Sequence, residues 1–184
     1  RVNVPKSYRA GLEAEAAWKP LPWLVLNANA TFSQNKIESF TEYVDNYDDN
    51  SQLSIEHKNT DIAFSPNLIA AGGVSFSPFK QGTWKAFSAE ILGKYVSRQY
   101  LDNTSNNGRS LDPYALCDLR LRYTFSTKSF KEMGLTLLLN NVLNKQYESN
   151  GYTYSYISGT ATTTQNFYFP QASFNCMLGL SLKW

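Results

Sequence analysis

The chain has 184 residues, of which 42% are hydrophobic and 15% aromatic, and its formal net charge is only +2. This size is enough for one domain with its own core, and the near balance of charge gives no indication of a nucleic-acid partner. No stretch approaches the roughly 18 consecutive apolar residues of a transmembrane helix. Transmembrane β-strands need apolar side chains only at alternate positions, so a mean hydropathy of −0.39 remains compatible with a membrane barrel.

The N-terminal part of the chain predicts a hairpin of two long strands. Residues 7–19 place apolar side chains at even positions from Tyr8 to Trp18. Pro-Leu-Pro at 20–22 then interrupts the pattern, because proline has no amide donor for a strand ladder. Residues 23–35 resume it, with polar side chains at the odd positions. Two alternating segments around a tight turn predict a β-hairpin.

The rest of the chain alternates between apolar-periodic strands and polar connections. Further strands are predicted at 67–78, 84–97, 114–125, 133–142 and 174–184. Long polar loops are predicted at 38–65, 101–112 and 143–170, and short turns at 79–82 and 126–132. About seven strands of roughly 10–14 residues are much longer than the usual 5–6. The pattern predicts an all-β fold, an antiparallel transmembrane β-barrel segment with short turns at one end and long loops at the other.

The tryptophans support this direction, since they all fall at the predicted short-turn end: Trp18, Trp23, Trp84 and Trp184. Tyr8 lies at the opposite end of its strand. From Tyr8 to Trp18 the strand runs about 34 Å, which projects to about 26 Å when tilted by about 40°. This matches the height of the apolar band between two aromatic girdles in an outer-membrane barrel. The four tryptophans are therefore predicted to form a periplasmic aromatic rim.

Three segments resemble the C-terminal end of a TonB-dependent outer-membrane receptor. Residues 8–37 resemble the family's hairpin in which a Gly-Leu-Glu strand meets a proline-containing turn. Residues 169–184 resemble the final strand that ends on an aromatic residue, with Pro170-Gln171 where Pro-Arg is usual and Trp184 where phenylalanine is commoner. The most specific match is to the family's N-L-F-N-K-x-Y segment, and its matching residues are Asn141, Val142, Leu143, Asn144, Lys145 and Tyr147.

The resemblance implies that residues 1–184 are the last seven strands or so of a 22-stranded barrel, with the plug domain and earlier strands outside this sequence. It implies uptake of a scarce nutrient (a ferric siderophore, cobalamin or a glycan) across a Gram-negative outer membrane, energised by the TonB complex acting on the plug. The implied partners are the lipid bilayer, the TonB complex and the barrel assembly machinery, with Trp184 as its recognition signal. A surface lipoprotein is a further candidate partner. No enzymatic activity, cofactor or metal is expected.

Candidate ligand contacts lie in the long polar loops, because tyrosine, asparagine and aspartate suit recognition. They are Tyr43, Asp45, Tyr47, Tyr152, Tyr154 and Tyr156. His57, the single histidine, is predicted to be a solvated loop residue. Charged residues on the polar phase of the strands are predicted to line the lumen: Glu13, Glu15, Glu90, Lys94, Asp118, Arg120 and Arg122.

Two alternatives remain open from the sequence. A soluble β-sandwich, such as a carbohydrate-binding module, would also be long and rich in aromatic residues, but it predicts shorter strands and no tryptophan rim. A smaller outer-membrane pore without a plug would share the strand pattern. The sequence upstream of residue 1 would distinguish a plug-less pore from a receptor.

Overall fold

The computed structural model describes residues 4, 6–79, 81–82, 86–159 and 161–184. Strands account for 71% of the described residues, which contain no α-helix. None of its helical segments has the length and apolarity needed to cross a membrane. The described strands are β1 (Lys6–Leu21), β2 (Leu24–Asn46), β3 (Ser51–Asp61), β4 (Leu68–Phe76), β5 (Phe87–Val96), β6 (Gln99–Tyr100), β7 (Ser110–Leu111), β8 (Tyr114–Phe125), β9 (Glu132–Asn140), β10 (Glu148–Ser158), β11 (Ala161–Pro170) and β12 (Asn175–Lys183).

Seven long strands form one curled antiparallel sheet, here called the wall, in the order β1-β2-β4-β5-β8-β9-β12. Each strand pairs with the next wall strand along the chain. The predicted all-β class and antiparallel barrel architecture are therefore confirmed, and the seven predicted strands are the seven strands of the wall. Three further strands of 10–11 residues, β3, β10 and β11, lie where loops were predicted.

The register of the wall keeps apolar side chains on one face across every strand. Directly opposed residues of an antiparallel pair lie on the same face. One row of such pairs crosses the whole wall without a polar side chain: Trp18, Leu26, Val74, Ile91, Leu119, Leu139 and Cys176. Large apolar side chains on this face are exposed, with Leu178 76% exposed. Such a face suits contact with lipid.

The opposite face of the wall carries paired charges. Arg120 Nη1 lies 2.7 Å from Glu90 Oε2, and the Ser75 hydroxyl lies 3.2 Å from Glu90 Oε1. Leu138 and Met177 face each other on this side and interrupt its polarity. The cross-strand pairs agree with the predicted placement of Glu90 and Arg120 on one polar face.

The prediction of long loops at 38–65 and 143–170 is wrong, because both segments contain strands. β2 continues to Asn46 and pairs with β3, while β10 and β11 form a second hairpin. The end of β2 and strand β3 carry charged residues such as Glu42 and Asp61 at shielded positions, and β10 and β11 alternate aromatic with polar residues. Neither hairpin therefore has the aliphatic period of the wall strands. The prediction of a loop at 101–112 holds, apart from the two-residue strand β7 and a 3₁₀ turn at Asn107–Arg109.

The two hairpins and residues 97–112 together form a structure at the long-loop end, here called the outer assembly. β10 pairs in parallel with the end of β2, at Tyr156–Asp45 and Ile157–Asn46. The backbone N–H of Tyr47 also donates to the carbonyl of Ile157 at 3.0 Å. Because β4, β5 and β8 separate β2 from β9 in the wall, the β10–β11 hairpin bridges back over three strands.

The buried face of β2 changes where the strand enters the outer assembly. Asn35 and Ile37 are buried at odd positions, whereas Val44 is buried at an even one. The pairs Lys6–Ser39 and Ser7–Ile37 leave Glu38 as an extra residue on β2. A bulge of one residue shifts the alternation of side chains, which accounts for the change.

The apolar core lies in the outer assembly and at its junction with the wall. Its buried apolar residues are Ile37, Val44, Val96, Leu101, Leu111 and Tyr114. Leu111 and Leu101 belong to the connection between β5 and β8, so this connection is packed rather than extended into solvent. The outer assembly thus has the character of a small folded unit at the mouth of the wall.

The segment between β9 and β10 is a compact turn, here called the Asn141 turn, which is held together by hydrogen bonds of Asn141. Asn141 is 4% exposed and has a φ of 50°, a left-handed conformation that asparagine tolerates. Its side chain donates to the carbonyls of Lys145 and Ala172 and accepts from the Lys145 N–H. Its own backbone N–H donates to Asp118 Oδ1 at 2.7 Å. The Asn141 turn therefore joins the base of the β10–β11 hairpin to β8 and to the start of β12.

Candidate functional site

The outer assembly brings all six predicted ligand-contact residues together. Tyr43 and Asp45 lie at alternate positions of β2, and Tyr47 follows at the hairpin tip. Tyr152, Tyr154 and Tyr156 lie at alternate positions of β10, and the parallel pair Tyr156–Asp45 places them on the same face as the β2 residues. Two segments more than a hundred residues apart in sequence therefore contribute to one surface.

Six aromatic rings on this surface form a continuous ladder, here called the aromatic face: Tyr47, Tyr156, Tyr154, Phe167, Tyr152 and Phe169. The centroids of Tyr47 and Tyr156 are 5.1 Å apart, and those of Tyr152 and Phe167 are 4.7 Å apart, with ring planes within 16° and 9° of parallel. Five of the six rings are at least 40% exposed. Stacked neighbours restrict ring motion, so the ladder presents a preorganised surface.

Polar groups are interleaved with these rings. The Tyr154 hydroxyl donates to Gln165 Oε1 at 2.6 Å, and Gln165 Nε2 lies 3.4 Å from the Tyr156 hydroxyl. At the β2 end, Gln52 Nε2 donates to Asp45 Oδ1 at 2.7 Å. Exposed rings combined with hydroxyl and amide groups suit a ligand that has both flat apolar parts and hydrogen-bonding groups.

A network of charges lies on the other side of the β2–β3 hairpin and centres on Arg109. Arg109 Nη1 is 2.6 Å from Glu42 Oε1 and 3.0 Å from Asp102 Oδ2. The second oxygen of Glu42 is 2.8 Å from His57 Nε2. The Arg109 side chain is only 10% exposed, so its two carboxylate partners are what make its burial tolerable. The network fastens the connection between β5 and β8 to the first hairpin.

Burial alone would lower the pKa of Arg109, but hydrogen bonds to Glu42 and Asp102 together with the attraction of their negative charges raise the pKa above its usual value. The guanidinium therefore stays charged at every physiological pH. Its Nε has no hydrogen-bond partner among the described residues. Beside the network lies a cavity of about 540 Å³ whose lining includes Thr41, Glu42, Tyr43, Asp102 and Asn103.

Further contacts hold the β5–β8 connection between the two hairpins. The backbone N–H of Asp61 donates to the Ser105 hydroxyl at 2.6 Å, and Asn103 Oδ1 accepts from the Ala63 N–H at 2.8 Å. On the other side, Asn166 Nδ2 of β11 donates to the Gly108 carbonyl at 2.7 Å. The β5–β8 connection is therefore packed behind the aromatic face and forms its support.

The predicted rim residues lie at the short-turn end as far as the structure describes them. Trp18 is 66% exposed near the end of β1, and Trp184 is 82% exposed just after β12. Trp23 lies in the β1–β2 turn and packs edge-on against Phe76, with ring centroids 5.2 Å apart. Trp84 lies outside the described residues. Roles in a periplasmic rim and in assembly recognition remain predictions.

His57 differs from its prediction as a solvated loop residue. It lies in β3 with a side chain only 20% exposed, and its ring stacks on Phe40 with centroids 5.1 Å apart. The difference arises because residues 51–61 form a strand that turns His57 toward Glu42. The acidic run before it forms the tip of the hairpin, where hydrogen bonds from Ser51 lower the pKa of Asp49 below its usual value.

Sequence reasoning missed Phe167 and Phe169 on the aromatic face, and Arg109 and Glu42 in the support. The alternation Phe167–Phe169 was a usable signal for a strand opposite Tyr152. The sequence contains no signal for the Arg109–Glu42 pair, since the two residues are 67 positions apart and both lie in polar segments.

Comparison with known proteins identifies the family of the chain. The family model described as TonB dependent receptor-like, beta-barrel, matches residues 1–144. The chain belongs to this family. Its members are receptors and transporters of the Gram-negative outer membrane rather than enzymes. A comparison with curated protein sequences finds no match.

Solved TonB-dependent receptors share the fold of the chain at low sequence identity. The siderophore receptor PiuA from Acinetobacter baumannii aligns with a TM-score of 0.67 and 13% identity, over 95% of this chain and 21% of that one. The ferric yersiniabactin uptake receptor FyuA from Yersinia pestis aligns with a TM-score of 0.59 and 16% identity, over 95% of this chain and 23% of that one. FpvA from P. aeruginosa, solved with a ferric pyoverdine, aligns with a TM-score of 0.56 and 16% identity, over 95% of this chain and 19% of that one. The chain thus spans about a fifth of the length of these receptors.

Proposed function

We propose that this chain forms the C-terminal wall and part of the outer ligand surface of a receptor that takes up a ferric siderophore by TonB-energised transport. The observation that carries the proposal is that four of the six predicted contact residues, Tyr47, Tyr152, Tyr154 and Tyr156, belong to one exposed aromatic face in a chain of this family. Tyr43 and Asp45 lie on the same side of β2, next to this face. PiuA is described as a siderophore receptor, FyuA as a ferric yersiniabactin uptake receptor, and FpvA was solved in a complex with iron and pyoverdine, which favours this class over cobalamin or a glycan.

The architecture supports a role in the outer membrane. One face of the wall is a continuous apolar surface suited to lipid, and charges occupy the other face. A β-sandwich would need two sheets packed face to face, whereas the described wall is a single curled sheet. Family membership favours a receptor with a plug over a plug-less pore. We further propose that the TonB complex acts through such a plug, that assembly uses Trp184, and that a surface lipoprotein is a candidate partner.

Growth of a strain that lacks the whole receptor gene tests the proposed substrate class. Under iron limitation, the deletion strain should fail to grow on at least one ferric siderophore given as the single iron source, and the intact gene should restore growth. A strain without a working TonB complex should show the same defect. Normal growth on every siderophore, with loss of growth on cobalamin or a glycan instead, would contradict the siderophore proposal.

A further inference from the structure

Strand β11 is an edge strand of the outer assembly. It pairs with β10 along one side, from Ser158–Ala161 to Glu148–Pro170, and no other described strand pairs with it. Its second side therefore presents a row of backbone donors and acceptors. The single register shift of the hairpin lies near its base, between Glu148 and Asn150, so the strand is regular over most of its length.

This edge has few of the features that protect edge strands from pairing. Such strands usually carry charges, bulges or prolines that discourage another strand from adding. Residues 161–170 contain no charged residue, and their one proline is the last residue, Pro170. The matched edge of the first hairpin, β3, instead carries Glu56, Lys58 and Asp61. The two hairpins of the same surface therefore differ in whether their free edge can accept a strand.

We propose that the free edge of β11 binds an extended polypeptide segment of a partner protein, which adds to the outer assembly as a further strand. A ladder of alternating backbone N–H and carbonyl groups selects another extended backbone rather than a small molecule. The side chains flanking the edge define its character, since Phe167 and Phe169 are 40% and 49% exposed on one face and Tyr168 is 42% exposed on the other. The segment that fits this edge has uncharged and aromatic side chains where it passes these three rings.

A peptide with the sequence of residues 148–158 is a suitable probe, because β10 already pairs with β11 in this structure. On the free edge, the same peptide can place its tyrosines beside Phe167, Gln165 and Thr163, as β10 does on the other side. The control peptide has the same sequence with N-methyl groups at alternate residues, which remove backbone donors and leave the rings in place.

The experiment measures fluorescence polarisation of the labelled peptide with the intact receptor in lipid nanodiscs. We expect saturable binding of the parent peptide and at least tenfold weaker binding of the N-methylated one. Thr164→Lys and Gln165→Lys, on opposite faces of β11, should each weaken binding at least tenfold because they charge the edge. Ser54→Lys, on the exposed edge of β3, should leave binding unchanged.

Three results would overturn the proposal. Equal binding of the two peptides would mean that the rings alone make the contact. Absence of saturable binding would mean that the rest of the receptor covers the edge. A receptor that is dimeric and becomes monomeric in the Thr164→Lys variant would assign the edge to a second copy. None of these outcomes bears on ferric siderophore uptake, which the growth assay tests separately.

Discussion

The wall and the outer assembly place charge and apolar side chains in opposite ways. In the wall, the large apolar side chains are exposed, as Leu12 and Leu178 show, and charges pair across the polar face. In the outer assembly, apolar residues such as Ile37 and Leu111 are buried beside the buried charge of Arg109. The wall is built for lipid on one side, whereas the outer assembly is built like a small water-soluble domain. The two regions should therefore respond differently to the same kind of substitution.

The largest expected effect is the loss of Arg109. Arg109→Met would leave Glu42 and Asp102 largely shielded without their cation, which costs on the order of 3–5 kcal/mol. Residues 97–112 should then open, and amide hydrogen exchange there should accelerate by at least a hundredfold while the wall stays protected. The matched control is Arg98→Met in the same connection, because the side-chain hydrogen bond of Arg98 among the described residues goes to the exposed Asn107 side chain at 2.8 Å. Equal exchange in the two variants would contradict the account of the network.

The next largest effect concerns the two faces of β12. Leu178→Arg puts a charge on the lipid-facing side near the middle of the strand, which costs about 2–4 kcal/mol of folding free energy. Met177→Arg puts the same charge on the polar face and should cost much less. Urea unfolding of the receptor in lipid vesicles compares the two. If both substitutions destabilised the barrel equally, the assignment of the faces would be wrong.

A smaller effect is expected at the Asn141 turn, which joins the wall to the outer assembly. Asn141→Ala removes the side-chain hydrogen bonds of a buried residue and strains a positive φ, with an expected cost of about 1–3 kcal/mol. Asn141→Gly loses the same hydrogen bonds but relieves the strain, so it should be more stable than the alanine variant by up to about 1 kcal/mol. Hydrogen exchange of β10 measures both. Equal exchange in the two variants would mean that the backbone conformation at Asn141 contributes nothing.

The difference between the regions also explains how far the sequence was informative. The wall strands follow a two-residue period because each faces lipid on one side, so their places could be predicted to within a few residues. The strand at residues 38–46 could not be predicted from its pattern, because the half-buried position 42 is a glutamate rather than an apolar residue. Its burial depends on Arg109, whose position only the folded chain reveals. The bulge at Glu38 further shifts the alternation between the two halves of β2.

The proposed ligand contacts could be predicted from the sequence in residue type, but their arrangement could not. Tyrosine and aspartate in polar segments identified six candidates, and all six share one face in the structure. Their convergence depends on the short parallel pairing of β10 with β2, which involves only Asp45 and Asn46 on the β2 side. Such a pairing has no periodic signature in the sequence, since neither segment has an apolar face that must be buried against the other.

The central claim is that the aromatic face binds the transported ferric siderophore, and equilibrium binding tests it most directly. The measurement uses intact receptor in outer-membrane vesicles and the siderophore identified by the growth assay. The triple variant Tyr152→Ser, Tyr154→Ser and Tyr156→Ser should bind at least tenfold more weakly, a loss of about 1.4 kcal/mol, with an unchanged amount of folded receptor. An unchanged Kd in this variant would contradict the claim.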